Sequence, residues 1–183
     1  MHINHRPSYS LYNGIVLPHL QYCLIVWGDF QGSRNKIAGS NLLRLQKRFV
    51  GMAAGCGRRV HTDPLFAKFG VLKIGDLYKQ QLRIHGWQFW NGRLPIGQAV
   101  MLQRVSDTHR YGTRATGSNL AIGGRDQGSI CYRVPKEWAT ITEAAKQLKS
   151  IAAFKRNSKT MFITEYKKFQ CNITECGVCG QTT

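Results

Sequence analysis

The sequence predicts a mainly α chain: a helical bundle, then a short β-hairpin region, then a C-terminal amphipathic helix. Three observations carry that expectation. Segments 42–54 and 75–90 repeat apolar residues at helical spacing and end in glycine or Asn-Gly punctuation. After Asp107 the composition changes, and five glycines and four arginines fall between His109 and Arg133. Helical periodicity then returns over 151–169.

Taken in order, Met1 to Ser10 reads as a polar tail (residues 1–10), and residues 11–106 form the helical domain. Leu11 to Trp27 reads as a helix kinked or restarted at Pro18, because proline offers no N–H and disfavours helix at the residue before it. Gly28 to Gly39 reads as a loop. Leu42 to Ala54 is the clearest amphipathic helix. At about 100° per residue, Leu42, Leu43, Leu45, Phe49, Val50, Met52 and Ala53 share one half of the wheel, and Arg44, Lys47 and Arg48 share the other. The Gly55-Cys56-Gly57 segment ends it and leaves Arg58 and Arg59 at its exit. Thr62 caps a short helix through Lys68 with Pro64 in its first turn, and Gly70 stops it. From Gly75 to Trp90 apolar residues surround most of the wheel, the pattern of a central helix. Its Trp87, Phe89 and Trp90 read as core rather than as a stacking platform. A further short helix is predicted from Gln98 to Val105.

Residues 107–170 make the next region. Ser118 to Ile122 and Ser129 to Val134 read as two short strands around the Gly123-Gly124 turn signal. Ser150 then caps a helix to Phe169. Phe154, Met161, Phe162, Tyr166 and Phe169 share a face there, flanked by Lys155, Arg156, Lys159 and Lys167. Residues 171–183 form a Cys-rich tail.

The charge balance points to the partner. The chain has 26 Lys plus Arg against 9 Asp plus Glu, a formal net charge of +17. Such an excess attracts phosphate polyanions, and RNA and DNA are the expected partners. No membrane span is expected, because the apolar run from Gly14 to Trp27 is short and interrupted by Pro18, His19 and Gln21. Met1 to Arg6 does not lead into a signal-like apolar stretch. An intracellular compartment, nucleus or cytoplasm rather than the secretory route, is the expectation, with cysteines kept reduced.

Individual sites each have two readings. Arg44, Lys47 and Arg48, with Arg58 and Arg59 beyond them, suit a phosphate backbone, and no acidic residue lies between Asp29 and Asp63 to neutralise them. The alternative is a solvated helix face. Lys155, Arg156 and Lys159 form a second candidate set. His109-Arg110-Tyr111-Gly112-Thr113-Arg114 allows base stacking on Tyr111 with Arg110 and Arg114 on phosphate, and equally an ordered turn anchored by Tyr111. Cys171, Cys176 and Cys179 supply three thiolates where a structural zinc site wants four ligands, so zinc and a simple reduced terminus both stay open. No cofactor is otherwise expected. The lone histidines His19, His61 and His85 lack a neighbouring carboxylate or thiol that would suggest catalysis.

The order of short blocks carries a resemblance. Leu17-Pro18-His19-Leu20-Gln21-Tyr22-Cys23 is closed by Val26-Trp27-Gly28, and Leu45-Gln46-Lys47-Arg48 and Asp63-Pro64-Leu65-Phe66 follow. Ile74-Gly75-Asp76-Leu77-Tyr78, Asn91-Gly92-Arg93-Leu94-Pro95 and the His109 to Arg114 block complete the series. Over Leu11 to Tyr166 the chain resembles the thumb and C-terminal extension that follow the catalytic palm in reverse transcriptases of non-LTR retrotransposons. That resemblance implies a thumb-like bundle beside a template-primer duplex. One departure is Pro135-Lys136-Glu137-Trp138-Ala139-Thr140, which keeps the tryptophan of the family's Trp-Asn-x-Leu-Pro block and loses the rest. The graver departure is catalytic. The family's polymerases hold two metal ions on clustered aspartates, whereas Asp29, Asp63, Asp76, Asp107 and Asp126 are scattered here. The expectation is a nucleic-acid-binding fragment without enzyme activity of its own. The alternative is an interaction remnant whose apolar helices dock on the polymerase palm of the same element.

Overall fold

The computed structural model describes residues 10–30, 35–56, 60–108, 117–123 and 126–168. A π-helical turn (Tyr12–Val16) leads into α1 (Leu17–Gln21) and α2 (Leu24–Trp27). Then come α3 (Lys36–Ala53), α4 (Asp63–Phe69), α5 (Ile74–Trp90), α6 (Ile96–Ala99), α7 (Val105–Thr108), α8 (Ile130–Trp138), α9 (Glu143–Lys146) and α10 (Ile151–Lys167). The mainly α expectation holds. The chain divides into two compact units, one formed by residues up to Leu77 together with those from Lys159 onward, the other by Tyr78–Ser158.

In the first unit the restart expected at Pro18 is a change of helix type, the π turn giving way to α1 at Leu17 with Pro18 in its first turn, and a sharper break follows it. The π turn closes with the Leu17 N–H on the Tyr12 carbonyl, which widens the backbone just where the Pro18 ring would meet the carbonyl four residues back. The helix stops at Tyr22 and Cys23, where Cys23 takes φ 48°, a conformation costly for a side chain with a Cβ. The Trp27 indole N–H donates to the Tyr22 carbonyl at 2.7 Å across this break. The α4 boundaries follow from punctuation: Pro64 sits in the first turn and Gly70, at φ 59°, ends it. Thr62 is the N-cap residue, although its side chain makes no capping bond.

One polar side chain organises this unit. Gln46, in the middle of α3, is buried. Its amide N–H groups donate to the Tyr12 hydroxyl and the Leu72 carbonyl, each at 2.7 Å, and its carbonyl accepts the Ile74 N–H at 3.0 Å. Val50 is buried one turn along the same face, and Gly39 one face-repeat earlier, where an added Cβ would overlap the Phe30 ring. A second polar set ties α10 to the approach of α5. The Tyr166 hydroxyl donates to the Asp76 carboxylate and accepts the Lys73 N–H at 3.1 Å. Lys73 lies over the Tyr166 ring and pairs with Asp63 at 2.7 Å.

In the second unit Trp87 and Trp138 are fully buried. Trp87 stacks on Phe154 with ring centroids 5.9 Å apart and donates its indole N–H to the Leu148 carbonyl at 2.8 Å. Trp138 fits against α5 because Gly86 has no side chain; a Cβ there would come within 2.8 Å of the ring. Trp90 is half-buried, with the Arg104 guanidinium 4.6 Å above its ring. The expected helix at 98–105 is two separate turns, α6 and α7.

The predicted β-hairpin is corrected. Among the described residues the region contains one isolated antiparallel bridge, Arg104 to Leu120, and the second expected strand is α8. Pro135 stands inside that helix, which makes the segment read as non-helical. Its missing N–H leaves the Cys131 carbonyl without a helical donor, and the Gly123 N–H takes that place at 3.0 Å. Burial of Val134, Pro135 and Trp138 on one face outweighs the lost helical bond.

Candidate nucleic-acid interface

The orientation of α3 follows from its buried face. With Gly39, Gln46 and Val50 inward, helical geometry sends Ile37, Asn41, Arg44, Leu45, Arg48 and Met52 outward, and all six are exposed. Lys47 lies at the flank and is half-buried. The sequence Lys36–Ala53 contains no carboxylate. Arg44 and Arg48 are one turn apart on the surface, and neither they nor Lys47 make an ion pair among the described residues.

This overturns one expectation. The wheel puts Leu45 and Met52 with the core residues, yet Leu45 is 58% and Met52 71% exposed. The buried stripe is narrower than the apolar half of the wheel and centres on Gln46. The outward face is therefore mixed, arginine beside aliphatic side chain. Ile37, 77% exposed, belongs to it, in a stretch expected as loop that is the first turn of α3.

Five of the described carboxylates are engaged away from α3. Asp63 pairs with Lys73, and Glu137 with Arg83 at 2.8 Å, where the Arg83 guanidinium also reaches Thr140. Glu165 pairs with Lys168. Glu143 accepts from the Ser118 hydroxyl and from Lys146, and those two contacts hold its carboxyl below the usual carboxylate range. Asp76 is taken by Tyr166.

On α10, Lys155 and Arg156 are exposed and Lys159 is half-buried. The Lys155 carbonyl accepts the Gln80 side chain at 3.2 Å. The Lys159 ammonium stands 4.0 Å from where a Cβ on Gly70 would be. Arg58, Arg59, Arg110, Tyr111 and Arg114 lie outside the described residues, as do Cys171, Cys176 and Cys179.

Other chemistry is sparse. Cys23, Cys56 and Cys131 are free thiols. Among the described residues no three His, Cys, Asp or Glu side chains come together as a metal site, and no helix is long and apolar enough to cross a membrane. An open cleft of about 780 Å3 in the second unit is walled largely by Met101, Val105, Leu120, Ile122 and Pro135. Its described lining contains Asp126 and no cation. No family model, no curated protein and no solved structure matches this chain.

Proposed function

We propose that the chain binds RNA and DNA through their phosphate backbones, without catalytic activity of its own, as the thumb-like C-terminal part of a retrotransposon reverse transcriptase would. The observation that carries this reading is the carboxylate-free outer face of α3. Arg44 and Arg48 are exposed a turn apart, Lys47 flanks them, and the chain's net charge is +17. Arginine is suited to this contact because its planar guanidinium binds phosphate oxygens in pairs. Lys155, Arg156 and Lys159 are the second set of candidate contacts.

Replacing Arg44, Lys47 and Arg48 together by Ala tests the proposal. Binding to RNA and DNA should weaken alike. The salt slope should fall by roughly 0.7 to 0.9 per phosphate contact removed. The melting transition should stay in place. Unchanged affinity at two salt concentrations would return α3 to the status of a solvated face.

A second reading draws on the exposed Leu45, Met52 and Ile37: that the unit docks on another protein, such as the polymerase palm of the same element. Its binding would resist salt, because apolar burial is not screened.

A further inference from the structure

Four facts about α3 belong to one surface. Arg44 and Arg48 are exposed and without an ion-pair partner among the described residues. Leu45, Met52 and Ile37 are 58%, 71% and 77% exposed. Helical spacing puts Arg48 beside both Leu45 and Met52, and Asn41 one turn before Arg44 and Leu45. No carboxylate interrupts the helix from Lys36 to Ala53.

A duplex presents phosphates outward and hides its base faces. Cations alone suffice to follow such a backbone, and aliphatic side chains on the same face would gain nothing from it. A single strand presents phosphates and unstacked base faces together. Proteins that hold single strands pair a cationic track with side chains, most often aromatic, against which bases lie; on α3 that place is held by aliphatic side chains. Methionine suits that role, since its thioether is polarisable and packs well on aromatic rings. A purely apolar protein partner would leave Arg44 and Arg48 unmatched. An acidic and apolar one would match them, but so does any single strand, whose phosphates recur at every nucleotide.

We propose that the outer face of α3 takes single-stranded nucleic acid in preference to duplex, with Arg44, Lys47 and Arg48 on phosphates and Leu45 and Met52 against base faces. This rests on the proposed function and narrows its ligand.

The test uses the full chain, a uridine-rich single-stranded RNA and a hairpin duplex of matched phosphate number. Wild type should bind the single strand more tightly. Leu45→Ala with Met52→Ala should lower single-strand affinity about five- to tenfold while leaving duplex affinity within about twofold. Leu45→Met with Met52→Leu, which keeps the apolar surface, should retain wild-type binding. Thermal melts of both double variants should stay close to wild type, since both side chains are more than half exposed. Equal losses on single strand and duplex, or no loss on either, would overturn the preference. If the Arg44/Lys47/Arg48 alanine variant still loses binding in that case, phosphate contact stands and only the base contact falls. If wild type binds neither probe, both readings fall. Binding to an acidic amphipathic peptide that outcompetes the single strand would also overturn the proposal, in favour of a protein partner.

Discussion

The Gln46 side-chain carbonyl accepts the Ile74 backbone N–H at 3.0 Å, so a residue in the middle of α3 caps the first turn of α5. The opening N–H groups of a helix lack partners within it, and here the partner comes from another helix. The same amide holds the Leu72 carbonyl and the Tyr12 hydroxyl. Gln46→Leu keeps the volume and strands three polar groups, so it should cost about 3 kcal/mol in denaturant unfolding. A near-neutral result would mean that water replaces the amide.

The direction of α3 sets a contrast between neighbours in sequence. Val50→Ala removes buried methyl groups and should cost about 2 kcal/mol. Leu45→Ala should stay within about 0.5 kcal/mol of wild type. Equal costs at both positions would show that the helix is rotated from the orientation described.

Tyr166 titrates against its surroundings. Burial and then the Asp76 carboxylate push its hydroxyl above the ordinary value of 10.0. The native state therefore favours the protonated phenol. Its contribution to stability is fully present below pH 10.0 and is lost as pH rises toward the native pKa. Tyr166→Phe should cost about 1 to 3 kcal/mol near neutrality by removing the hydroxyl that bonds the Lys73 N–H and the Asp76 carboxylate. It should also flatten the alkaline fall in stability. Denaturant titrations at neutral and alkaline pH separate the two effects, and an unchanged alkaline slope would remove Tyr166 from the account.

His85 acts at the acid end. Burial lowers its pKa below the ordinary 6.5, so the unfolded chain takes up its proton first. The stability this lends is present above pH 6.5 and is lost as pH falls through the lower, native value. His85→Gln should narrow the difference in melting temperature between about pH 8 and pH 5. An identical pH dependence in variant and wild type would assign the acid sensitivity to other groups.

The elements written clearly in the sequence are those with punctuation at both ends. Pro64 and Gly70 bracket α4, and Asn91 with Gly92 closes α5. The α8 segment was hidden because Pro135 argues against helix locally, while the burial of Val134 and Trp138 that overrides it is a tertiary effect. The face of α3 was half legible. Its three cations are on the outer side or its flank, but the wheel could not tell which apolar residues are inward. That depends on Gln46, whose partners are 26, 28 and 34 residues away and leave no local trace. The mixed surface built by Leu45 and Met52 was illegible for the same reason.

Pro135 shows how an absent atom can join two distant pieces of chain. Because it has no proton to give, the Cys131 carbonyl is free to hold Gly123. A residue with an N–H at 135 would supply the helical donor and make the Gly123 N–H share the Cys131 carbonyl with it. The cost of such a replacement would then surface twelve positions upstream, at a glycine outside the helix. Loss of the Gly123 N–H, as in Gly123→Pro, should accordingly cost less when a residue with an N–H stands at 135, a coupling that no reading of either segment alone would suggest.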